Sequence, residues 1–129
     1  MTRQIPRELF EEIAQRAYDS LPSFFKRKIE NVQIVVEDYP SDDALLRSKA
    51  SRLNLLGLYQ GVPLLHRGTS YGMYPVAPDK ITLYQKNIER VCRNEAEIEH
   101  RIVEVLFHEL GHYFGMNEQE VRRALKAYE

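Results

Sequence analysis

The 129-residue chain has no tryptophan, a single cysteine, and only six glycines and six prolines. A lone thiol, Cys92, cannot close an internal disulfide, so a reducing, cytoplasmic setting is expected. An excess of charge of one sign is missing too, with 18 Lys+Arg against 19 Asp+Glu and a formal net charge of -1. The cationic footprint that grips phosphate backbones or anionic lipid is therefore lacking, which argues against nucleic acid or a membrane as the main partner. The longest apolar runs, such as Ile34, Val35, Val36 and Val105, Leu106, Phe107, fall far short of a bilayer span. The first residues carry no basic stretch followed by an apolar core and a cleavage site, so no secretory leader is expected. What remains is one domain over residues 1–129, long enough to bury one sizeable core.

Leu9, Phe10, Ile13, Ala14, Ala17, Tyr18 and Leu21 recur at helical spacing, which predicts an amphipathic helix from Pro6 to Leu21. A further helical turn or two is expected after Pro22, around Phe24, Phe25 and Ile29. Val32, Ile34, Val35 and Val36 supply a β-branched first strand that Asp38, Pro40 and Ser41 terminate. A short helix is expected between Ser41 and Arg52, and a second strand over Leu55 to Tyr59. Gly61-Val62-Pro63 then turns the chain towards Leu64 and Leu65. Residues 67–79 have loop composition, with Tyr71 and Tyr74 as candidate rim or oxyanion-donating groups. Lys80 to Lys86 alternates like a third strand, a candidate edge for pairing with an extended peptide. Asn94 followed by Glu97 predicts the capped start of a long helix. That helix runs to about Tyr113 and stops near Gly115, before a last helix from Glu118 to Tyr128 that Arg122, Arg123 and Lys126 solvate.

Within the long helix stands His108-Glu109-Leu110-Gly111-His112, an HExxH pattern. Residues four apart differ by about 40° around an α-helix, so both imidazoles leave one face and can share one metal ion. Glu109 projects beside that ion, where it can take a proton from a metal-activated water. From the four histidines and fourteen glutamates of this chain, a chance match arises about once in 80 such sequences. The pattern continues to Gly115 and Glu118 as HExxHxxGxxE, which lowers chance to roughly 1 in 10,000. Gly115 can adopt the left-handed conformation that ends a helix and turns the chain back, bringing Glu118 as third ligand. Glu120 and His66 are the competing donors. With three protein ligands a fourth position stays open, the catalytic rather than the structural arrangement.

With this motif, and with the segments SLPSFFKRKIENVQIVVED, LLGLYQGVPLLHRG and APDKITLYQKNIER, the chain resembles the small bacterial zincin-like metallopeptidases that carry a metzincin-type HExxHxxGxxD motif. The resemblance covers nearly the whole chain. It implies an α+β minimal zincin-like fold, with a small mixed sheet packed against an N-terminal helix and the active-site helix. It implies one zinc ion per chain on His108, His112 and Glu118, with Glu109 as general base. The chain departs from the family in having Glu where the third ligand is usually Asp. Fourteen residues follow Gly115, so the methionine turn of larger metzincins and most of a lower subdomain are expected to be missing. The activity implied is zinc-dependent hydrolysis of peptides or flexible protein segments. The alternative is a non-catalytic metal-binding or peptide-binding module that keeps the site. Among the other candidates, Glu104 lies one turn before His108 and can orient it or merely face solvent, and His100 reads as a surface residue. Cys92 reads as a small buried apolar residue.

Overall fold

A computed structural model describes residues 4–23, 32–61 and 79–128. Helix α1 (Arg7–Asp19) follows Pro6, whose extended backbone (φ -60°, ψ 151°) forms the N-cap. It buries Phe10, Ile13, Ala14 and Ala17, the stripe read from the sequence. The helix ends slightly before Leu21, where Ser20 Oγ donates to the Ala17 carbonyl at 2.7 Å. The turn proposed around Phe24, Phe25 and Ile29 and residues 62–78, including His66, Tyr71 and Tyr74, lie outside the described residues.

Strand β1 (Val32–Glu37) is followed by helix α2 (Asp42–Ser48), which Ser41 caps by accepting the Ala44 N–H. Strand β2 (Gly57–Gln60) begins two residues later than the apolar pattern implies. Strand β3 (Asp79–Tyr84) lies in the middle of a mixed three-stranded sheet ordered β1-β3-β2, parallel to β1 and antiparallel to β2. Two expectations change here. The third strand is central rather than an edge, and it stops at Tyr84 because Gln85 opens helix α3 (Gln85–Arg90). Its central place explains its burial: Ile81, Thr82, Leu83 and Tyr84 are all nearly or fully inaccessible.

Helix α3 is hard to read because three of its four buried positions, Gln85, Asn87 and Glu89, are polar. Glu89 accepts the Ile5 N–H and the Gln85 side-chain amide, each at 3.0 Å. Arg7 Nε donates to Gln85 Oε1 at 2.7 Å, and Asn87 Nδ2 donates to the carbonyls of Arg52 and Leu55, both at 2.7 Å. These bonds tie the N-terminal segment, α3 and the entry to β2 together and satisfy the Gln85 and Asn87 amide donors and one Glu89 oxygen, which would be costly to bury unpaired. Asn87 Oδ1 and Glu89 Oε1 find no hydrogen-bond partner among the described residues.

Helix α4 (Glu95–Tyr113) starts as its Asn94 cap predicts, with Asn94 Oδ1 accepting the Glu97 N–H at 2.9 Å. The reciprocal arm lands one residue earlier than in a capping box, on the Arg93 N–H at 2.8 Å. Ile98, Ile102, Leu106 and Leu110 are fully buried along one face, each contributing about 1.5–3 kcal/mol of apolar burial. This helix packs on α1, on β2 and on the last helix, α5 (Glu118–Tyr128). The result is an α+β fold with the histidine-bearing helix beside the sheet. Among the described residues no helix is long and apolar enough to cross a membrane.

Candidate metal centre

The end of α4 determines where Glu118 arrives. Met116 N–H donates to the Gly111 carbonyl (2.8 Å) and Gly115 N–H to the His112 carbonyl (3.0 Å), the paired bonds of a Schellman motif. Gly115 holds the left-handed conformation that this turn needs, at φ 77°. Asn117 then caps α5 reciprocally: its Oδ1 accepts the Glu120 N–H at 2.9 Å while Glu120 Oε1 accepts the Asn117 N–H at 3.0 Å. Glu120 is thereby engaged in the cap, and Glu118, at the first position of α5, faces back to α4.

The contact between the two helices is close. A Cβ added to Gly111 would stand 2.4 Å from Cγ2 of Val121, so the absence of a side chain inside the HExxH run lets α5 lie against α4. Glu118 Oε1 consequently sits 3.3 Å from His108 Nε2 and 3.4 Å from His112 Nε2. The two imidazole centroids are 4.4 Å apart. His108, Glu109 and His112 also present ligand atoms within 4.8 Å of one another, with Glu109 Oε2 3.8 Å from His108 Nε2. Two carboxylates thus face the histidine pair, and their surroundings differ. The Glu118 side chain is 55% exposed, whereas that of Glu109 is 12% exposed and gives its other oxygen, Oε1, to the Tyr59 N–H at 2.7 Å. Burial pushes the Glu109 carboxyl above the usual carboxylate range, against the opposing pull of the Tyr59 N–H and the neighbouring histidines.

The donor set suits zinc. Bonds of about 2.0–2.1 Å in a tetrahedral arrangement place donor atoms roughly 3.3–3.4 Å apart, the spacing between Glu118 Oε1 and both imidazole nitrogens. The sequence profile of the zincin-like metallopeptidases matches residues 29–127. The chain belongs to that family. A solved structure, described as a conserved hypothetical protein from Thermo thermophilus, is similar to this zincin-like chain in fold, with a TM-score of 0.53 and 24% sequence identity. The similarity covers 85% of this chain and 94% of that one. No curated protein gives a match.

Beside the histidines, between the start of β2 and two turns of α4, a cavity of about 320 Å³ is lined by Leu55, Leu56, Val105 and Arg101, with His108 and Glu109 at one end. Glu104 lines the same cavity, and its carboxylate stands 3.6 Å from Arg101 Nε and 3.9 Å from His100 Nε2. His100 is exposed, as read from the sequence, and Cys92 is buried, with burial raising its thiol pKa. Sequence reasoning missed the Tyr59 N–H, the close approach at Gly111, and the Asn117–Glu120 cap. Only the cap had a visible signal, the same Asn-x-x-Glu spacing that starts α4.

Proposed function

We propose that this chain is a zinc-dependent peptidase, holding one zinc ion through His108 Nε2, His112 Nε2 and Glu118 Oε1. The observation that carries the reading is the placement of one Glu118 oxygen 3.3 and 3.4 Å from the two imidazole nitrogens, with a second, buried carboxylate beside them. When bound, zinc supplies Lewis acidity to a water and to the scissile carbonyl.

The residues divide the remaining work. With His108, His112 and Glu118 as its donors, a bound zinc would keep one position for water or substrate. Tyr59 holds Glu109 Oε1, and Oε2, 3.8 Å from His108 Nε2, is the oxygen we assign to accept the proton of the attacking water. The same oxygen later returns that proton to the leaving amine. Burial suits the task, since it brings the carboxyl's proton affinity closer to that of the groups it serves. The cavity along Leu55, Leu56 and Val105 gives room for part of a peptide or of a flexible protein segment next to the reacting bond. With its single buried thiol, a reducing compartment such as the cytoplasm is the setting we propose.

The test pairs metal content with turnover. The parent chain should hold one zinc and cleave members of a fluorogenic peptide library, and His108→Ala should lose both. One zinc per chain with no cleavage across the library would favour the metal-binding module instead. Cleavage surviving complete removal of zinc would refute the reading outright.

A further inference from the structure

We propose that the main-chain N–H of Tyr59 is a positioning group for Glu109, holding one carboxylate oxygen so that the other faces the histidines. The proposal rests on the peptidase reading above and adds a part that no side chain in the motif supplies. Glu109 is 9% exposed, and its Oε1 accepts the Tyr59 N–H at 2.7 Å across fifty residues of sequence. Its Oε2 stands 3.8 Å from His108 Nε2. A terminal carboxylate torsion is broad when left alone. Fixing one oxygen fixes the other, which divides the group into an anchored oxygen and a working one.

The strand is built to offer that donor. Tyr84 N–H donates to the Leu56 carbonyl, and with the register Leu58↔Thr82 and Gln60↔Lys80 this places the even-numbered residues in hydrogen-bonded pairs with β3. Tyr59 therefore directs its N–H away from β3, to the side where α4 lies. The distance is set one turn earlier on the helix. A Cβ at Gly57 would lie 2.6 Å from Val105 Cγ1 and 3.2 Å from the Thr82 carbonyl oxygen, so β2 rests against α4 only because residue 57 has no side chain. Val105 and Glu109 are four apart on one helix face. The close approach at the first brings the second within reach of the strand, and burial makes the bond matter, because a carboxylate out of water needs donors.

Two measurements on the zinc-loaded protein test this. Replacing Tyr59 by its α-hydroxy acid removes the N–H and also weakens the Leu58 carbonyl as an acceptor toward Thr82, so the effect on kcat is read beside a Leu58 α-hydroxy acid control that leaves the Tyr59 N–H in place. Zinc content should remain one per chain, kcat should fall about tenfold or more, and KM should change by less than about twofold. Full kcat in the Tyr59 ester overturns the proposal. In amide exchange followed by NMR, Glu109→Ala should speed exchange at Tyr59 by at least about tenfold. Glu109→Gln, whose amide oxygen still accepts, should keep Tyr59 slow, and Leu58 and Gln60 should not respond in either variant. Unchanged exchange at Tyr59 in Glu109→Ala overturns the proposal even if Glu109→Gln is inert as a peptidase. Parental hydrolysis by Glu109→Gln refutes the base assignment instead, whatever the exchange data give.

Discussion

Placing a methyl group at residue 111 should weaken zinc binding although Gly111 touches no ligand atom. In an ordinary helix interior Gly→Ala gains about 1 kcal/mol. Here the new Cβ meets Val121 Cγ2 at 2.4 Å, with Val121 Cβ at 3.6 Å and Met116 Cβ at 3.8 Å. Carbon atoms rest about 3.5–4.0 Å apart, so α5 must withdraw by roughly 1 Å or Val121 must leave its rotamer. A valine in a helix has one strongly preferred rotamer, which makes withdrawal the cheaper response. The overpacking costs about 1–3 kcal/mol and cancels or exceeds the propensity gain. Glu118 lies on the same helix one turn before Val121, and a shift of that size carries its Oε1 out of the 3.3 and 3.4 Å contacts with the imidazoles. Zinc affinity, read by competition with a chromophoric chelator, should fall about 10–100-fold, the range seen when a ligand loses its orientation. Val121→Ala in the Gly111→Ala background should recover most of it, since the two sites are in contact and couple. Parental affinity in Gly111→Ala, or no recovery in the double variant, would refute the link between helix packing and the position of Glu118.

Two further outcomes follow from the same packing and charge pattern. Leu106→Ala, in the fully buried stripe of α4, should lower unfolding stability by about 2–5 kcal/mol in a denaturant titration, and a loss under 1 kcal/mol would mean the core closes around the site. Glu97, whose carboxyl is held below its usual pKa first by the Arg93 N–H and then by the Arg93 charge, contributes stability above its unfolded pKa and loses it as the pH falls through the depressed folded value. Glu97→Gln should therefore destabilise the protein at neutral pH and flatten the acid limb of the stability curve, and an acid limb identical to the parent's would contradict that sign.

The helix that holds both site histidines, α4, was legible because it is amphipathic over more than two turns and ends in side chains with a known local job. Asn94, Gly115 and the apolar stripe of α4 act within a few residues of themselves, so a linear reading finds them. The position of β3 was not legible for the opposite reason. Its alternation describes one strand, and whether that strand is central depends on partners at Val32–Glu37 and Gly57–Gln60 that are distant in sequence. Helix α3 escaped because Gln85, Asn87 and Glu89 are buried by hydrogen bonding to Ile5, Arg52 and Leu55, against the rule that buried faces are apolar. At the site, the His108, Glu109, His112 and Glu118 pattern is written in side chains and could be read. The Tyr59 N–H is a backbone group that any residue there would supply, so only the close packing at Gly57 marks it.

The most direct test of the account is to measure bound zinc and peptide cleavage side by side in Glu109→Gln. One zinc per chain, unchanged from the parent, is expected, with hydrolysis reduced by about 10²–10⁴-fold, the contribution of a positioned general base. Cleavage at the parental rate with zinc in place would contradict the assignment of Glu109 as base.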